Sequence, residues 1–373
     1  MSIPVSTFSN KSSDYRSLLR QNIVDLPELL DILKLPLSLG SSDAAANYPL
    51  NVTRDFVNRM EIGNPDDPLL LQILPTHEEL NIVSGFSFDP LNEINCADKT
   101  NNVANFNSFQ NEKMSETKKT AFLCPLRYLQ KYSGRILILA TNRCASHCRF
   151  CFRRHFSKNF TTSYPSNTSG DSENEYSLNL TEKIKKNDIH EAILSGGDPL
   201  MLDDAKLKQI LHYIKETKTG NRVRLHTRLP IFLPERVTPE LVEILQKNRA
   251  TDGNGTVYVV IHVNHPNELS EKVAAAIDRF VDSGIPVLSQ TVLLRKINDN
   301  FETLWRLFDK LINIRVVPYY LHQLDRVQGA AHFEILIANG LKLISELQTK
   351  LPGYAVPKYV QEIPDKKSKT ELF

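Results

Sequence analysis

With 373 residues, 41% of them hydrophobic and 24% charged, the chain has the composition of a water-soluble globular protein, long enough for one large α/β domain or two ordinary ones. A formal net charge of +2 excludes the strongly basic or acidic balance that marks nucleic-acid or acidic-membrane partners. The first residues are polar and serine-rich rather than charged then apolar, and no run of about eighteen apolar residues occurs, so neither export nor membrane insertion is expected.

In chain order, residues 15–38 have helical spacing, broken near Pro27 and Pro36, and residues 50–62 predict a second helix. Asn64-Pro-Asp-Asp-Pro68 is turn chemistry, with Asp66 or Asp67 able to cap the segment after it. Residues 97–120 are polar, with few aliphatic side chains, and read as a mobile loop; residues 157–179, rich in Ser, Thr and Asn, read as a second. From Arg135 the pattern alternates. Strands are predicted at 135–141, 190–195, 222–228, 256–263, 286–294 and 314–322, and helices at 203–217, 238–248, 269–283 and 301–312. Six β/α units suit an open six-stranded (β/α)6 partial barrel, two units short of a closed eight-stranded one. The division expected is an N-terminal helical region (1–96), a polar loop (97–120), the barrel (121–335) and a C-terminal helix with a tail (336–373). In such sheets reactive groups gather at the C-terminal strand ends.

At the first of those ends stands Cys144-Ala-Ser-His-Cys-Arg-Phe-Cys151, which holds three of the five cysteines in the chain. Three thiolates on a strand-exit loop can hold three irons of a [4Fe–4S] cluster and leave the fourth open to a small molecule. Zinc is the competing reading, with His147 or His155 completing a Cys₃His set. Cys96 and Cys124 are isolated and read as inert thiols. A disulfide framework does not fit, and a reducing, cytoplasmic setting does.

Later strand ends add polar groups. Ser195-Gly-Gly-Asp198 places two glycines where backbone can approach a ligand, beside a carboxylate that can accept from a hydroxyl or a cation. Arg153 and Arg154 sit just past Cys151, and an arginine there can clamp a carboxylate bidentately. His226, Arg228, His262, Asn264, His265 and Gln290 could line one cavity, and Asp325 follows the last strand. By composition alone, the lysine-rich tail around Lys369 is a solvated terminus.

Taken together, these stretches resemble the lysine 2,3-aminomutase family of radical S-adenosylmethionine enzymes, and within it the EpmB type, which supplies β-lysine for modification of elongation factor P. The resemblance rests on the C-x-x-x-C-x-x-C spacing and on Gly63-Asn-Pro-Asp-Asp-Pro-Leu69, Gly85-Phe-Ser-Phe-Asp-Pro90, Lys131-Tyr-Ser-Gly-Arg135 and Cys151-Phe-Arg-Arg-His-Phe156. It continues through Ser195-Gly-Gly-Asp-Pro-Leu-Met201, Ser289-Gln-Thr-Val-Leu-Leu-Arg295, Tyr319-Tyr-Leu-His322, Val327-Gln-Gly-Ala-Ala-His-Phe333 and Ser368-Lys-Thr370.

The resemblance implies a radical S-adenosylmethionine partial barrel whose mouth is closed by the tail. It implies an isomerase that converts (S)-α-lysine to (R)-β-lysine, with an adenosyl radical taking hydrogen from C3. Cys144, Cys148 and Cys151 would hold the [4Fe–4S] cluster. Ser195, Gly196, Gly197 and Asp198 would contact S-adenosylmethionine. Lys369 would carry pyridoxal phosphate as a Schiff base, with Arg135 and Gln290 also on that cofactor. Such a lysine must shed its proton; burial or repulsion from Lys366 and Lys367 would help, and Tyr354 and Tyr359 would anchor the tail. Arg153 would bind the substrate carboxylate, and Asp325 with Glu362 the ε-ammonium.

The partners so implied are free L-lysine, an elongation factor P lysyl-ligase taking the product and an electron donor such as flavodoxin. A homo-oligomer is possible within the family. Only four residues follow Lys369, so a zinc-binding C-terminal extension is absent and no zinc is expected. The chain departs from the free-lysine enzymes at Glu362, where aspartate is common, and at Ser289 and Thr291, where asparagine and serine are. Competing readings are a 2,3-aminomutase for another amino acid such as glutamate, against which Asp325 and Glu362 argue by like charge, and an iron–sulfur module that has lost catalysis.

Overall fold

The computed structural model describes residues 15–93, 127–156, 184, 189–217, 222–248 and 255–373. The two polar loops expected from the sequence, with Cys96 and Cys124, lie outside them. Among the described residues nine strands form one sheet in chain order: β1 (Arg127–Leu129), β2 (Arg135–Thr141), β3 (Glu191–Gly196), β4 (Arg222–Thr227), β5 (Thr256–His262), β6 (Val287–Val292), β7 (Val317–His322), β8 (Lys358–Gln361) and β9 (Thr370–Glu371). Strands β2 to β8 are parallel; β1 and β9 run antiparallel at the two ends, so the sheet is not closed. The six predicted strands are β2 to β7. The seventh parallel strand, β8, is an addition: its four residues, at the short limit of a strand signal, lie in the segment expected to be a tail.

Helices α1 (Tyr15–Leu19), α2 (Leu26–Ile32), α3 (Ser42–Asn47) and α4 (Arg54–Val57) precede the sheet. Helices α5 (Asp204–Glu216), α6 (Leu229–Phe232), α7 (Pro239–Lys247), α8 (Glu271–Asp282), α9 (Phe301–Asn313) and α10 (Ile337–Gln348) are interleaved with the strands or follow them. The long crossovers start where the chain offers a cap. Asp203, Thr238, Ser270 and Asn300 each accept from the amide three residues on. Each then buries one face at helical spacing, as Leu207, Ile210, Leu211 and Ile214 do in α5. Burying such a side chain stabilises the fold by about 1.5–3 kcal/mol. These faces, the sheet and the N-terminal region share one apolar core.

The predicted helix over 50–62 is reduced to the four residues of α4. Val52 is drawn instead into a two-way backbone pairing with Ile23, at 2.9 and 3.0 Å, and Arg59 spans to the carbonyls of Ile231 and Glu268, both at 2.6 Å. Tertiary partners thus override local spacing. Asp67 is the capping carboxylate after the turn, accepting from Leu69 and Leu70.

Candidate active site

Strand register gathers the polar strand ends on one rim, with Thr141 opposite Gly196, His262 opposite Gln290 and Gln290 opposite Tyr320. They surround a cavity of about 800 Å³ that is also lined by the three cysteines and by Lys369.

The cysteine loop leaving β2 is shaped from outside the barrel. Asn22 donates to Ala145 O (2.7 Å) and Asn51 to Cys144 O (3.1 Å), while the amides of His147 and Arg149 bond to Asn51 O and Gln72 O. The wholly buried Arg149 reaches both oxygens of Glu79, at 2.8 and 2.6 Å, and Tyr48 O. Arg154 shares Glu79 and donates to Arg149 O. None of these partners is recognisable from sequence, because each is a lone polar residue far along the chain.

Burial raises the pKa of all three thiols, and neighbouring sulfurs add to the rise at Cys144 and Cys151. At Cys148 burial is opposed, but not cancelled, by Arg228, which donates to Sγ at 2.8 Å. Half-buried sulfurs crowded in this way suit a cationic body that turns them into thiolates. Among the described residues no group of three His, Cys, Asp or Glu side chains is placed to hold a single metal ion, and all three sulfurs line the cavity. The histidines of the zinc reading face elsewhere: His147 Nδ1 meets Pro49 O at 2.8 Å, and His155 Nε2 meets Gln328 O at 3.0 Å.

At the end of β3 the glycines are needed for packing. A Cβ on Gly196, whose φ is +121°, would stand 2.3 Å from Thr141 O, and one on Gly197 would stand 2.2 Å from Arg143 O. The glycines thus admit the backbone entering the cysteine loop, and both also line the cavity. Asp198 lines the cavity, but its carboxylate is filled by the Thr227 hydroxyl and the amides of Leu200, Arg228 and Leu229. It accepts from a hydroxyl, that of Thr227, and fixes the loop geometry.

Beyond the sulfurs runs a chain of alternating charges. Arg153 donates from Nε and Nη2 to the two oxygens of Glu93, at 2.7 and 3.0 Å, and from Nη1 to Ser195 Oγ and Gly196 O. Lys131 Nζ lies 2.8 Å from Glu93 and 3.3 Å from Glu362, and Glu362 also accepts from Tyr132 and pairs with Lys369. Burial works against ionising Glu93 and Glu362, but the cations prevail: Glu93 falls below the ordinary range and Glu362 to about 2. The bidentate edge of Arg153, expected to be open, is thus already engaged. Glu93 and Lys131 are site residues that sequence reasoning missed; Lys131 stood in a family motif, and Glu93 carried no signal.

Asp325 faces the same cavity without a hydrogen bond to its carboxylate among the described residues. Burial lifts it to about 7, with Lys369 pulling the other way. His226, His262 and His322 are kept neutral by burial, His322 lowered to about 3. Gln290 and Arg135 also line the cavity; Arg135 lies 3.6 Å from Glu191. Two of the strand-end residues are not on it. Asn264 is turned into the core, donating to Gln72 and accepting from Val292 N, and His265 caps the turn at Asn267.

The tail reaches the cavity by way of β8. Tyr359 is fully buried and donates to Gln323, while Tyr354, expected to anchor the tail, is 68% exposed. Leu372 N bonds to Tyr359 O at 2.8 Å, closing the β8–β9 turn so that Ser368, Lys369 and Thr370 line the cavity. Lys366 and Lys367 point to solvent, and Lys369 meets the opposite charge of Glu362 rather than the repulsion expected of them.

Residues 138–309 match the Radical SAM superfamily. The L-lysine 2,3-aminomutase of Escherichia coli is 37% identical over 362 residues, covering 96% of this chain and 94% of that protein. The chain belongs to the L-lysine 2,3-aminomutase family. The Haemophilus influenzae protein of that name is 34% identical, covering 99% of this chain and 98% of its own length. The Clostridium subterminale one is 30% identical over 96% of this chain and 78% of its own length. A [4Fe–4S] cluster and S-adenosylmethionine follow from membership of the aminomutase family, and the crowded thiols beside the Gly196–Gly197 turn fit them. Among the described residues no helix is long and apolar enough to cross a membrane.

Proposed function

We propose that this protein is an isomerase that converts L-lysine to β-lysine, with Cys144, Cys148 and Cys151 holding the cluster and Lys369 holding pyridoxal phosphate. One observation carries the reading: a single cavity of about 800 Å³ is lined by the cysteine triad, by Lys369 and by charged groups of both signs. When bound, the cluster with S-adenosylmethionine supplies the hydrogen-abstracting radical, and pyridoxal phosphate supplies the electron sink.

The residues have separable tasks. The Lys369 amine faces the Tyr320 ring, with 5.9 Å from Nζ to the ring centroid, and Glu362 is its adjacent carboxylate. Glu362 holds Nζ at the cavity through that ion pair. Arg135 with Gln290 is assigned to the cofactor. Its anionic group also has a reason to sit there, because Arg224 Nε and His226 Nε2 are buried without a partner among the described residues. Ser195, Gly196, Gly197 and Asp198 are assigned to S-adenosylmethionine, Asp198 by shaping the turn. Arg153 is assigned to the substrate carboxylate, and Asp325 with Glu362 to the ε-ammonium. Neutral His226, His262 and His322 add no cation to repel that ammonium.

Supply of β-lysine to an elongation factor P ligase, with a flavodoxin-type donor, belongs to the same reading and rests on the motif resemblance. The test is anaerobic incubation of the cluster-loaded, pyridoxal-phosphate-loaded protein with S-adenosylmethionine, reductant and L-lysine, followed by chiral analysis. β-Lysine is expected; S-adenosylmethionine cleavage without it would overturn the assignment.

A further inference from the structure

Arg153 has five N–H donors. Four are engaged: Nε and one of Nη2 by Glu93, and two of Nη1 by Ser195 Oγ at 3.0 Å and Gly196 O at 3.2 Å. The guanidinium also lies over the Phe152 ring, 4.6 Å from its centroid. Among the described residues one N–H of Nη2 is left without an acceptor, and Arg153 lines the cavity.

Glu93 is as constrained as its partner. Its side chain is 1% exposed, and Oε1 serves both Arg153 Nη2 and Lys131 Nζ. Lys131 continues to Glu362, the carboxylate paired with Lys369. Pulling Glu93 away would strand a buried carboxylate without its cations, which is costlier than letting a newcomer settle for a one-point contact.

We propose that Glu93 is a positioning residue for substrate recognition. It fixes the plane of Arg153 so that a substrate carboxylate is received end-on by the remaining N–H, and through Lys131 it ties that arginine to the Glu362–Lys369 pair. The proposal rests on the reading that Arg153 receives the carboxylate.

The test compares two ligands on the holoenzyme: L-lysine, and the competitor 1,5-diaminopentane, which keeps both amines and lacks the carboxylate. Glu93→Gln keeps the shape and removes the charge. It is expected to raise KM for lysine by at least about tenfold, or 1.4 kcal/mol, with kcat much less affected and inhibition by diaminopentane unchanged. Glu93→Asp should restore part of the loss. Arg153→Lys should show the same discrimination, and the double variant should lose no more than the worse single one. If Arg153→Lys leaves lysine KM unchanged, the carboxylate reading itself fails and this proposal falls with it. If Arg153→Lys discriminates but folded, cluster-loaded Glu93→Gln has unaltered lysine KM, only the Glu93 proposal is overturned. Equal weakening of lysine and diaminopentane would also overturn it, by making Glu93 a structural ion-pair member. Where Glu93→Gln does not fold, Glu93→Asp decides alone: an intermediate lysine KM with unchanged diaminopentane inhibition sustains the proposal, and any other pattern overturns it.

Discussion

Lys369 pairs with Glu362 across the turn joining β8 to β9, seven residues apart in sequence. The pair holds the Lys369 side chain at the cavity against its counter-ion. Lys369→Ala should abolish β-lysine formation while leaving the iron cluster and its absorbance intact. Borohydride reduction of the loaded protein should put a pyridoxyl group on Lys369, located by peptide mapping. Lys366→Ala and Lys367→Ala, at exposed positions, should keep both properties; a label on either would overturn the assignment.

Asp325 sets a pH dependence. Its carboxyl is raised from 3.8 to about 7 by burial. The folded protein therefore holds a proton that the unfolded chain releases. The contribution of this group to stability is greatest below its ordinary pKa and is lost as pH rises towards 7. Binding of an ammonium has the opposite sign, because it needs the ionised form. KM for lysine should fall as pH rises through 7, and lysine binding near neutrality should release protons measurably. Asp325→Asn should flatten that profile and lower kcat/KM at least about tenfold, from a cost of about 2–5 kcal/mol for losing one partner of a buried charged contact. An unaltered profile in the variant would move ammonium recognition elsewhere.

The cluster should depend on all three sulfurs of the loop. Replacing Cys144, Cys148 or Cys151 by Ala should abolish S-adenosylmethionine cleavage, whereas Cys96→Ala and Cys124→Ala should keep it. Iron content and 5′-deoxyadenosine yield read this directly. Retention of both by Cys148→Ala would sink the cluster assignment.

Gly340 in α10 leaves room for the buried tyrosine of β8. A Cβ there would stand 2.2 Å from Tyr359 Oη, whereas one on Gly353 meets nothing within 4 Å. Gly340→Ala should cost about 1–3 kcal/mol, the usual range for overpacking, and lower the Tm by several degrees. Because β8 leads directly to Glu362, lysine turnover should fall with it. Gly353→Ala is the matched control, with near-native Tm.

Much of the barrel was legible because strands buried on both faces read as unbroken apolar runs, as in Arg135–Thr141, and because capped amphipathic helices lie between them. The cysteines were legible by spacing, and Lys369 only through a family motif, since composition made it a solvated tail. Glu93, Glu79 and Gln72 were opaque for a common reason. Each is a single polar residue whose partner lies 60, 70 or 156 positions away, at Arg153, Arg149 and Arg228. Local pattern carries no trace of such pairs. The helix expected over 50–62 failed in the same way, through the pairing of Val52 with Ile23.

The shaping of the cysteine loop also sets an order of assembly. Its carbonyls and guanidiniums are held by Asn22 and Asn51 from one side, 123 and 93 positions upstream, and by Gly329 O from the other, 175 positions downstream of Arg154. Contacts of such long sequence separation close late, after their loop entropy has been overcome. The sulfurs therefore reach their final spacing only once nearly the whole chain has been made and folded, so metal delivery is expected to be post-translational and to act on an almost complete barrel.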